Sequence, residues 1–133
     1  MRYLLDSDWL IDHLADNPEA TQLLEQLTDQ GITVSIISYM EAYQGVERSS
    51  DPSEANAKLE ALLEAVPILP FSPAVARRCA LLRETLRNQR KRVNQRALDL
   101  IIAATALEYD LTLVTRNTRD YDDIPDIKLY QAR

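Results

Sequence analysis

Four acidic residues that are far apart in the sequence have the side chains best suited to chemistry. Asp6 ends an apolar run, Glu41 follows a β-branched run, Asp99 opens an apolar stretch, and Asp120 lies in "TRNTRD". Two carboxylates about 4 Å apart repel each other by roughly 4 kcal/mol at an effective dielectric constant of about 20. Oxygen ligands without His or Cys favour a hard cation, Mg²⁺ or Mn²⁺. If the four acids converge, the sequence predicts a site in which one or two such ions support phosphoryl transfer.

Each of these acids also has an ordinary structural role that the sequence leaves open. Asp6 suits the N-cap of a following helix. In "SYME", Glu41 would form a capping box by reaching back to the amide of Ser38. Asp99 would complement a helix macrodipole, and Asp120 would sit in a solvated acidic turn. What favours a shared site is the predicted position of all four at one edge of a sheet.

Composition excludes several other kinds of chemistry. The chain has one cysteine, Cys79, and one histidine, His13, too few for a Cys/His zinc site or a disulfide. Its only glycines are Gly31 and Gly45, which excludes Gly-rich phosphate loops. The sequence has no pattern of a secretory signal or a membrane span. We therefore expect residues 1–133 to form a single cytoplasmic domain.

The charge of the chain is unevenly distributed. The formal net charge is -6, yet residues 77–96 contain eight Lys and Arg and one Glu, a local charge of +7. This basic segment predicts contacts with phosphates, although a solvated helix face paired with acids would give the same pattern. The residues predicted to bind RNA are Arg87, Arg90, Lys91, Arg92, Arg96, Arg116 and Arg119.

The elements that must position these residues alternate between strands and helices. Apolar runs predict strands at 2–5, 32–37, 67–71, 111–115 and 127–130, the third at an edge because of its prolines. Helical periodicity and end signals predict helices at 7–15, 18–30, 38–48, 52–65, 73–90 and 97–109. Strands separated by helices pair in parallel, so we expect a three-layer α/β/α sandwich with a central, mostly parallel sheet of four to five strands. Ligands of such sheets bind at the carboxyl ends of the strands.

Four stretches in order resemble the successive motifs of PIN-domain ribonucleases, especially VapC-like toxins of bacterial toxin-antitoxin pairs. They are "YLLDSDWLID", "SIISYMEAYQGV", "ALDLIIAATAL" and "LTLVTRNTRDYDDIPDIKL". The resemblance covers nearly the whole chain. It implies a PIN-like fold, Mg²⁺- or Mn²⁺-dependent endonucleolytic cleavage of RNA, a small cognate antitoxin and a homodimer.

The resemblance also implies roles for individual residues. The implied metal ligands, which would also be the catalytic residues, are Asp6, Glu41, Asp99 and Asp120. Asn117 is a rival for the fourth position, because related sequences carry an acid there. Thr115 is similar to the hydroxyl residue that orients a carboxylate, and Asp8 would add negative charge or hydrogen-bond through water.

Two other functions remain open at this point. "DSD" after a first strand also resembles the Asp-x-Asp of haloacid-dehalogenase-type phosphatases, with Asp6 as nucleophile and Asp8 as acid/base. The acidic face could instead serve a metal-free interaction module with a basic partner. A set of apolar residues in the early helices could bind an antitoxin or a second copy, although we expect most of them to be core: Trp9, Leu10, Leu14, Leu23, Leu24, Leu27, Met40 and Tyr43.

Overall fold

A computed structural model describes residues 1–131, and its centre is a parallel sheet of five short strands. The strands are β1 (Tyr3–Leu5), β2 (Ile32–Ser35), β3 (Ile68–Leu69), β4 (Thr112–Val114) and β5 (Lys128–Leu129), in the order β3-β2-β1-β4-β5. Leu5 is in register with Val34 of β2 and Val114 of β4. The residues that follow these positions therefore emerge together at one edge of the sheet.

Six helices cover the two faces of this sheet. They are α1 (Ser7–Leu14), α2 (Pro18–Thr28), α3 (Ile36–Arg48), α4 (Pro52–Leu63), α5 (Pro73–Asn88) and α6 (Ala97–Glu108). Leu5 packs in a cluster with residues of α1 to α4, whereas its neighbour Leu4 packs in a separate cluster with α5 and α6. Successive residues of the strand thus pack into two separate hydrophobic cores, one on each face, as expected for a sheet that is buried on both faces. The predicted three-layer α/β/α sandwich is confirmed, and so is the edge position of the third strand.

One predicted boundary was wrong in a way that affects the site. The second strand ends at Ser35, not at residue 37, and α3 begins at Ile36 instead of Ser38. The side chain of Ser35 caps this helix by accepting a hydrogen bond from the amide of Ser38 at 3.1 Å. Because that amide already has a partner, the capping box between Ser38 and Glu41 does not form, and the Glu41 side chain is used elsewhere. The other predicted helices end one or two residues later than the observed ones, a difference that is usual at helix ends.

The apolar residues of the early helices are mostly core, as expected. Trp9, Leu10, Leu23, Leu24 and Leu27 are buried in one cluster with the sheet, and Leu14 and Tyr43 are partly buried against it. Met40 is different, because 49% of its surface is exposed. No helix within residues 1–131 combines the length and the apolar composition that crossing a membrane requires.

Gly31 fixes where β1 starts. Its carbonyl oxygen accepts hydrogen bonds from the amides of Arg2 at 3.1 Å and Tyr3 at 3.0 Å. Its φ is +93°, in the region that L-residues avoid. An added Cβ would meet its nearest atom, the backbone nitrogen of Met1, at an ordinary 3.4 Å. A substitution here therefore causes conformational strain and not a steric clash.

We expect Gly31→Ala to lower the free energy of unfolding by about 1–2 kcal/mol, because alanine resists positive φ. Gly31→Asn should lose less, since asparagine tolerates the left-handed region better. Urea unfolding of the three proteins measures the difference. An alanine variant as stable as the wild type would contradict this interpretation of the turn.

Candidate functional site

Asp6 lies at the edge where the central strands end. Its amide donates to the carbonyl of Val114 at 2.9 Å, which extends the pairing of β1 with β4 by one residue. Only 6% of Asp6 is exposed. One carboxylate oxygen, Oδ1, accepts from the amide of Ser7 at 2.8 Å and caps α1, while Oδ2 accepts from the hydroxyl of Thr115, also at 2.8 Å. The capping role is therefore real, and it leaves the second oxygen directed toward the site.

Asp99 meets Asp6 at the hydroxyl of Tyr121. This hydroxyl oxygen lies 3.2 Å from Oδ1 of Asp99 and 3.4 Å from Oδ2 of Asp6. Asp99 is in the first turn of α6 and is partly buried, and Tyr121 is 1% exposed. A hydroxyl has one hydrogen, so Tyr121 donates to one carboxylate at a time. Two acids that are far apart in the sequence are thus brought to one group.

Asp8 fastens the segment after β4 to α1. Its Oδ2 accepts from the amide of Arg116 at 2.9 Å and lies 3.3 Å from the hydroxyl of Thr115, while its Oδ1 accepts from the amide of Trp9 at 2.7 Å. The amide of Asn117 in turn donates to the Thr115 hydroxyl at 3.1 Å. Asp8 therefore bonds the protein directly and not only through water. Its negative charge also lies beside Asp6, as one of the two expectations for this residue stated.

Glu41 reaches the same region from α3. Its Oε1 accepts a hydrogen bond from the hydroxyl of Ser7 at 3.0 Å. Burial raises the pKa of Glu41, the bond from Ser7 opposes this, and the charges of Asp99 and Asp8 raise the pKa further. Glu41 therefore shares the electrostatic environment of the other acids.

Asp120 lies on the outer side of the cluster. It is exposed at the end of the short 3-10 helix Thr118–Asp120, and its carbonyl oxygen accepts from Nη2 of Arg96 at 2.6 Å. Burial raises the pKa of Asp99, the Tyr121 hydroxyl opposes this, and the charge of Asp120 raises it further. Asp120 is thus close enough to Asp99 to affect its charge. Asn117, the rival for this position, is also exposed, and the choice between the two stays a prediction.

The cluster is strongly acidic and poorly neutralised. Burial raises the pKa of Asp6 from 3.8 to about 7, assisted by the charge of Asp8 and less by that of Asp99, and opposed by the Thr115 and Ser7 hydrogen bonds. Burial also raises the pKa of Asp8. Arg96 is the cation that lowers the pKa of Asp99, and it does so only weakly beside the other influences. Buried oxygen donors with uncompensated charge have the chemistry that a hard dication requires.

The side chains are not yet arranged as a finished metal site. Within residues 1–131, no three His, Cys, Asp or Glu side chains lie close enough together to hold one ion. The hydroxyl of Tyr121 stands between Asp6 and Asp99, and Glu41 is turned to Ser7. An ion shared by three of these acids therefore requires side-chain movement.

Two of the arginines predicted to bind RNA are engaged within the protein. Arg96 makes a two-point ion pair with Asp123, at 2.8 and 2.9 Å. Arg116 pairs with Asp12 at 2.6 Å and with Glu19 at 2.9 Å, and its guanidinium lies 3.8 Å from the centre of the Trp9 ring. For these two arginines, the structure shows the alternative arrangement, in which the side chains pair with acidic residues of the protein. The other predicted residues are exposed: Arg87, Arg90, Lys91, Arg92 and Arg119.

Sequence reasoning missed two residues of the site. Ser7 appeared only as the first residue of a helix, although it donates to Glu41. Tyr121 follows Asp120 directly, and its ring is buried with residues of α5 and α6. An aromatic residue next to a predicted ligand was the one available signal, and nothing in the sequence indicated where its hydroxyl would point.

The sequence and the fold of this chain match those of known proteins over nearly their whole length. The family model of the PIN domain matches residues 3–127. Ribonuclease VapC19 of Mycobacterium tuberculosis is 32% identical over 127 residues, which cover 94% of this chain and 96% of that protein. The tRNA(fMet)-specific endonuclease VapC of Shigella flexneri is 24% identical over 128 residues, 96% of each chain. Among solved structures, VapBC2 from Rickettsia felis, bound to a DNA fragment from its promoter, has a chain with a TM-score of 0.86, 27% identity and full coverage of both chains.

We expect Asp6→Asn to stabilise the metal-free protein at alkaline pH. The pKa of Asp6 is about 7 in the folded protein and 3.8 ordinarily, so the folded state binds more protons between these values. Stability then falls as pH rises from 3.8 to about 7, and the full cost is present above 7. Asparagine keeps the helix cap without the charge, so the free energy of unfolding at pH 8 should rise by about 1–3 kcal/mol. Urea unfolding in EDTA at pH 5 and pH 8 measures this, and a variant with the same pH dependence as the wild type would contradict the assignment.

We expect Tyr121→Phe to keep the fold while changing the charge of the cluster. Removing the hydroxyl leaves the buried ring in place but takes away the donor that stabilises ionised Asp99. The pKa of Asp99 should therefore rise, and carbon-detected NMR of the side-chain carboxyl groups follows its titration. Tyr109→Phe is a control, because this tyrosine lies at the opposite end of α6 from Asp99. A titration of Asp99 that is the same in all three proteins would show that the hydroxyl does not act on it.

Proposed function

Because this chain belongs to the PIN-domain family, we propose that it is a metal-dependent endoribonuclease, a VapC-like toxin that a small cognate antitoxin neutralises. The observation that carries this proposal is the meeting of Asp6 and Asp99 at the hydroxyl of Tyr121. These acids follow β1 and open α6, at the edge where parallel sheets bind ligands. A relative that is 32% identical over nearly its whole length is named a ribonuclease, which supports RNA as the substrate.

The proposed metal ligands are the four acids of the cluster, Asp6, Glu41, Asp99 and Asp120. A bound Mg²⁺ or Mn²⁺ would neutralise their charge and activate water for hydrolysis of a phosphodiester. The fit rests on an all-oxygen donor set whose innermost member, Asp6, is buried, and on the raised pKa of Asp6, caused first by burial. A cation of this kind would relieve the repulsion that the protein otherwise reduces by binding protons.

The remaining polar residues would hold these ligands in place. Thr115 donates to the oxygen of Asp6 that faces the site. Asp8 accepts a hydrogen bond from the amide of Arg116, the residue after Thr115, and so holds this segment against α1. Glu41, with a pKa raised by burial, is also suited to take a proton during hydrolysis. Losing such supporting residues commonly costs about 10–100-fold in metal affinity or activity.

RNA would approach across the exposed basic residues. Arg87, Arg90, Lys91, Arg92 and Arg119 are exposed and are proposed to contact phosphates. Arg96 and Arg116 would act mainly through their internal ion pairs, because exchanging those partners for phosphate would break well-formed contacts.

The proposed protein partners are a small antitoxin and a second copy of the chain. The Rickettsia felis structure with the same fold over full length is a VapBC2 assembly, and this supports an antitoxin partner for the present chain. The homodimer is a prediction of the family resemblance. The exposed side chain of Met40 on α3 is the one apolar residue of the early-helix set that a partner could cover.

The phosphatase alternative fits the site less well. A nucleophilic Asp6 would need a free oxygen facing solvent, yet this residue is buried and both of its oxygens accept hydrogen bonds. A purely interacting acidic face would not need a buried carboxylate with a pKa of about 7.

We expect Asp99→Asn to lower the rate of metal-dependent cleavage of pooled cellular RNA by at least about 100-fold, since it removes a proposed ligand. Asp122→Asn is the matched control, because Asp122 is an exposed acid beside the cluster without an assigned role. Its activity should equal that of the wild type. Calorimetric titration with Mn²⁺ should show a saturable site in the wild type and in Asp122→Asn but not in Asp99→Asn.

Equal cleavage by Asp99→Asn and the wild type would overturn the proposal. So would trapping of a phosphorylated Asp6, which would favour the phosphatase chemistry. A wild-type protein that binds no Mn²⁺ and cleaves no RNA would favour an interaction module.

A further inference from the structure

A groove with a volume of about 860 Å³ lies beside α5, outside the acidic cluster. It runs between α5, the segment 91–95 and the first turns of α6, where Ala97 and Ile101 line it. Asp99 is two residues after Ala97, or about 200° around a helix with 3.6 residues per turn. The groove and the Asp99 carboxylate are therefore on opposite sides of α6.

The groove is basic in a protein that is acidic as a whole. Its walls carry Arg83, Arg87, Lys91 and Arg92 against one acid, Glu84, a local charge of +3, whereas the net charge of the chain is -6. Cations concentrated in this way raise the local concentration of anionic ligands. The groove is thus suited to an anionic ligand, in contrast to the rest of the protein, in which acidic residues prevail.

These cations are largely free for a ligand. Arg87 is 3.6 Å from Glu84, and both are exposed, an arrangement worth about 0–1 kcal/mol. The hydrogen bond that Arg83 makes within the described residues is to an amide oxygen, Oδ1 of Asn94, at 3.2 Å. Within residues 1–131, Lys91 and Arg92 have no carboxylate oxygen within 4.0 Å. They differ in this respect from Arg96 and Arg116.

The other lining residues indicate which anion fits. Phe71, with 47% of its surface exposed, contributes an aromatic ring to the wall, and Asn94 and Gln95 contribute exposed amides. Arginines track phosphates, aromatic rings stack on bases, and amides bond base edges, a combination typical of sites for single-stranded nucleic acid. An acidic peptide would need only the charges.

The groove also leads toward the proposed active site. Nη1 of Arg96 donates to the carbonyl oxygen of Arg92, a residue of the groove wall, at 3.4 Å. Nη2 of Arg96 donates to the carbonyl oxygen of Asp120 at 2.6 Å. A strand lying in the groove would thus pass by Arg92 toward the fourth acid.

We propose that this groove is a second binding site for single-stranded RNA, which holds a part of the substrate away from the bond to be cleaved. The inference rests on the proposed function for the identity of the polymer. It adds Phe71, Arg83, Asn94 and Gln95 to the residues that contact RNA.

The test measures RNA binding without cleavage. Metal-free protein in EDTA is titrated into a fluorescein-labelled single-stranded RNA of 20 nucleotides, and anisotropy is followed at several salt concentrations. The double variant Arg87→Gln with Arg92→Gln removes two groove cations. Arg2→Gln with Arg48→Gln removes two exposed arginines outside the basic segment and is the matched control. Circular dichroism confirms that each variant is folded.

The groove variant should bind about tenfold more weakly at low salt, and its log-log salt slope should be shallower by about 1.4, since each phosphate contact of a single strand contributes about 0.7. The control should change affinity by less than about twofold. Phe71→Leu should weaken binding by at least about fivefold with an unchanged slope, because it removes stacking and not charge.

Equal losses in the groove variant and in the control would overturn the proposal, because the effect would then be one of net charge. Wild-type affinity in the groove variant would also overturn it. If a labelled polyglutamate peptide bound as tightly as RNA, with no effect of Phe71→Leu, the groove would be a site for an acidic protein segment instead. Groove-dependent binding in a protein that cleaves no RNA would support the groove while the proposed enzyme failed. RNA cleavage without groove-dependent binding would support the proposed enzyme and overturn the proposed groove.

Discussion

Burial of negative charge at the carboxyl edge of the sheet is the constraint on which this structure depends. Asp6 is fixed there because its amide continues the pairing of β1 with β4, so its carboxylate cannot move out to water without disturbing the central strand. Donors from Ser7, Thr115 and Tyr121 reach its two oxygens, but they are neutral groups. Neutral donors stabilise an ionised carboxylate without cancelling its charge. The protein therefore carries electrostatic strain that a proton or a cation can relieve.

Two arginines hold the loops around this strained cluster. Arg116 lies over the ring of Trp9 and pairs with Asp12, so the segment that carries Thr115 is fixed to α1. Arg96 pairs with Asp123 and bonds the carbonyl of Asp120, which fixes the loop that carries Tyr121 to the start of α6. Its side chain is only 15% exposed. Both arginines pair with acids outside the cluster and not with the carboxylates of Asp6 or Asp99. They therefore order the loops of the site without neutralising its charge.

The sequence was sufficient for the architecture and for placing Asp6 and Asp99 at one edge of the sheet, and insufficient for the contacts that the acids make. Apolar runs alternating with helical periodicity specify parallel strands, and the end of β1 and the start of α6 then specify where Asp6 and Asp99 meet. The start of α3 was misplaced because "ITVSII" is mostly apolar and β-branched on both sides of Ser35. The strand ends earlier because the Ser38 amide donates to the Ser35 hydroxyl, which caps the helix. The Tyr121 hydroxyl and the partners of Arg96 and Arg116 depend on loop conformation. Local patterns carry no information about such long-range contacts.

The separation of charge suits the proposed RNA substrate. A site built from carboxylates repels a polyanion at close range, so attraction has to come from cations that do not also neutralise the ligands. At physiological ionic strength, exposed charges are screened over about 8 Å, which is less than the diameter of one helix with its side chains, about 10–12 Å. Placing Arg87 and Arg92 on the far side of α6 from Asp99 would satisfy both requirements. The cations remain available to phosphates, and the carboxylates keep the unbalanced charge that favours a dication. An even distribution of the same residues, with each acid paired to an arginine, would produce a more stable surface and a less effective site.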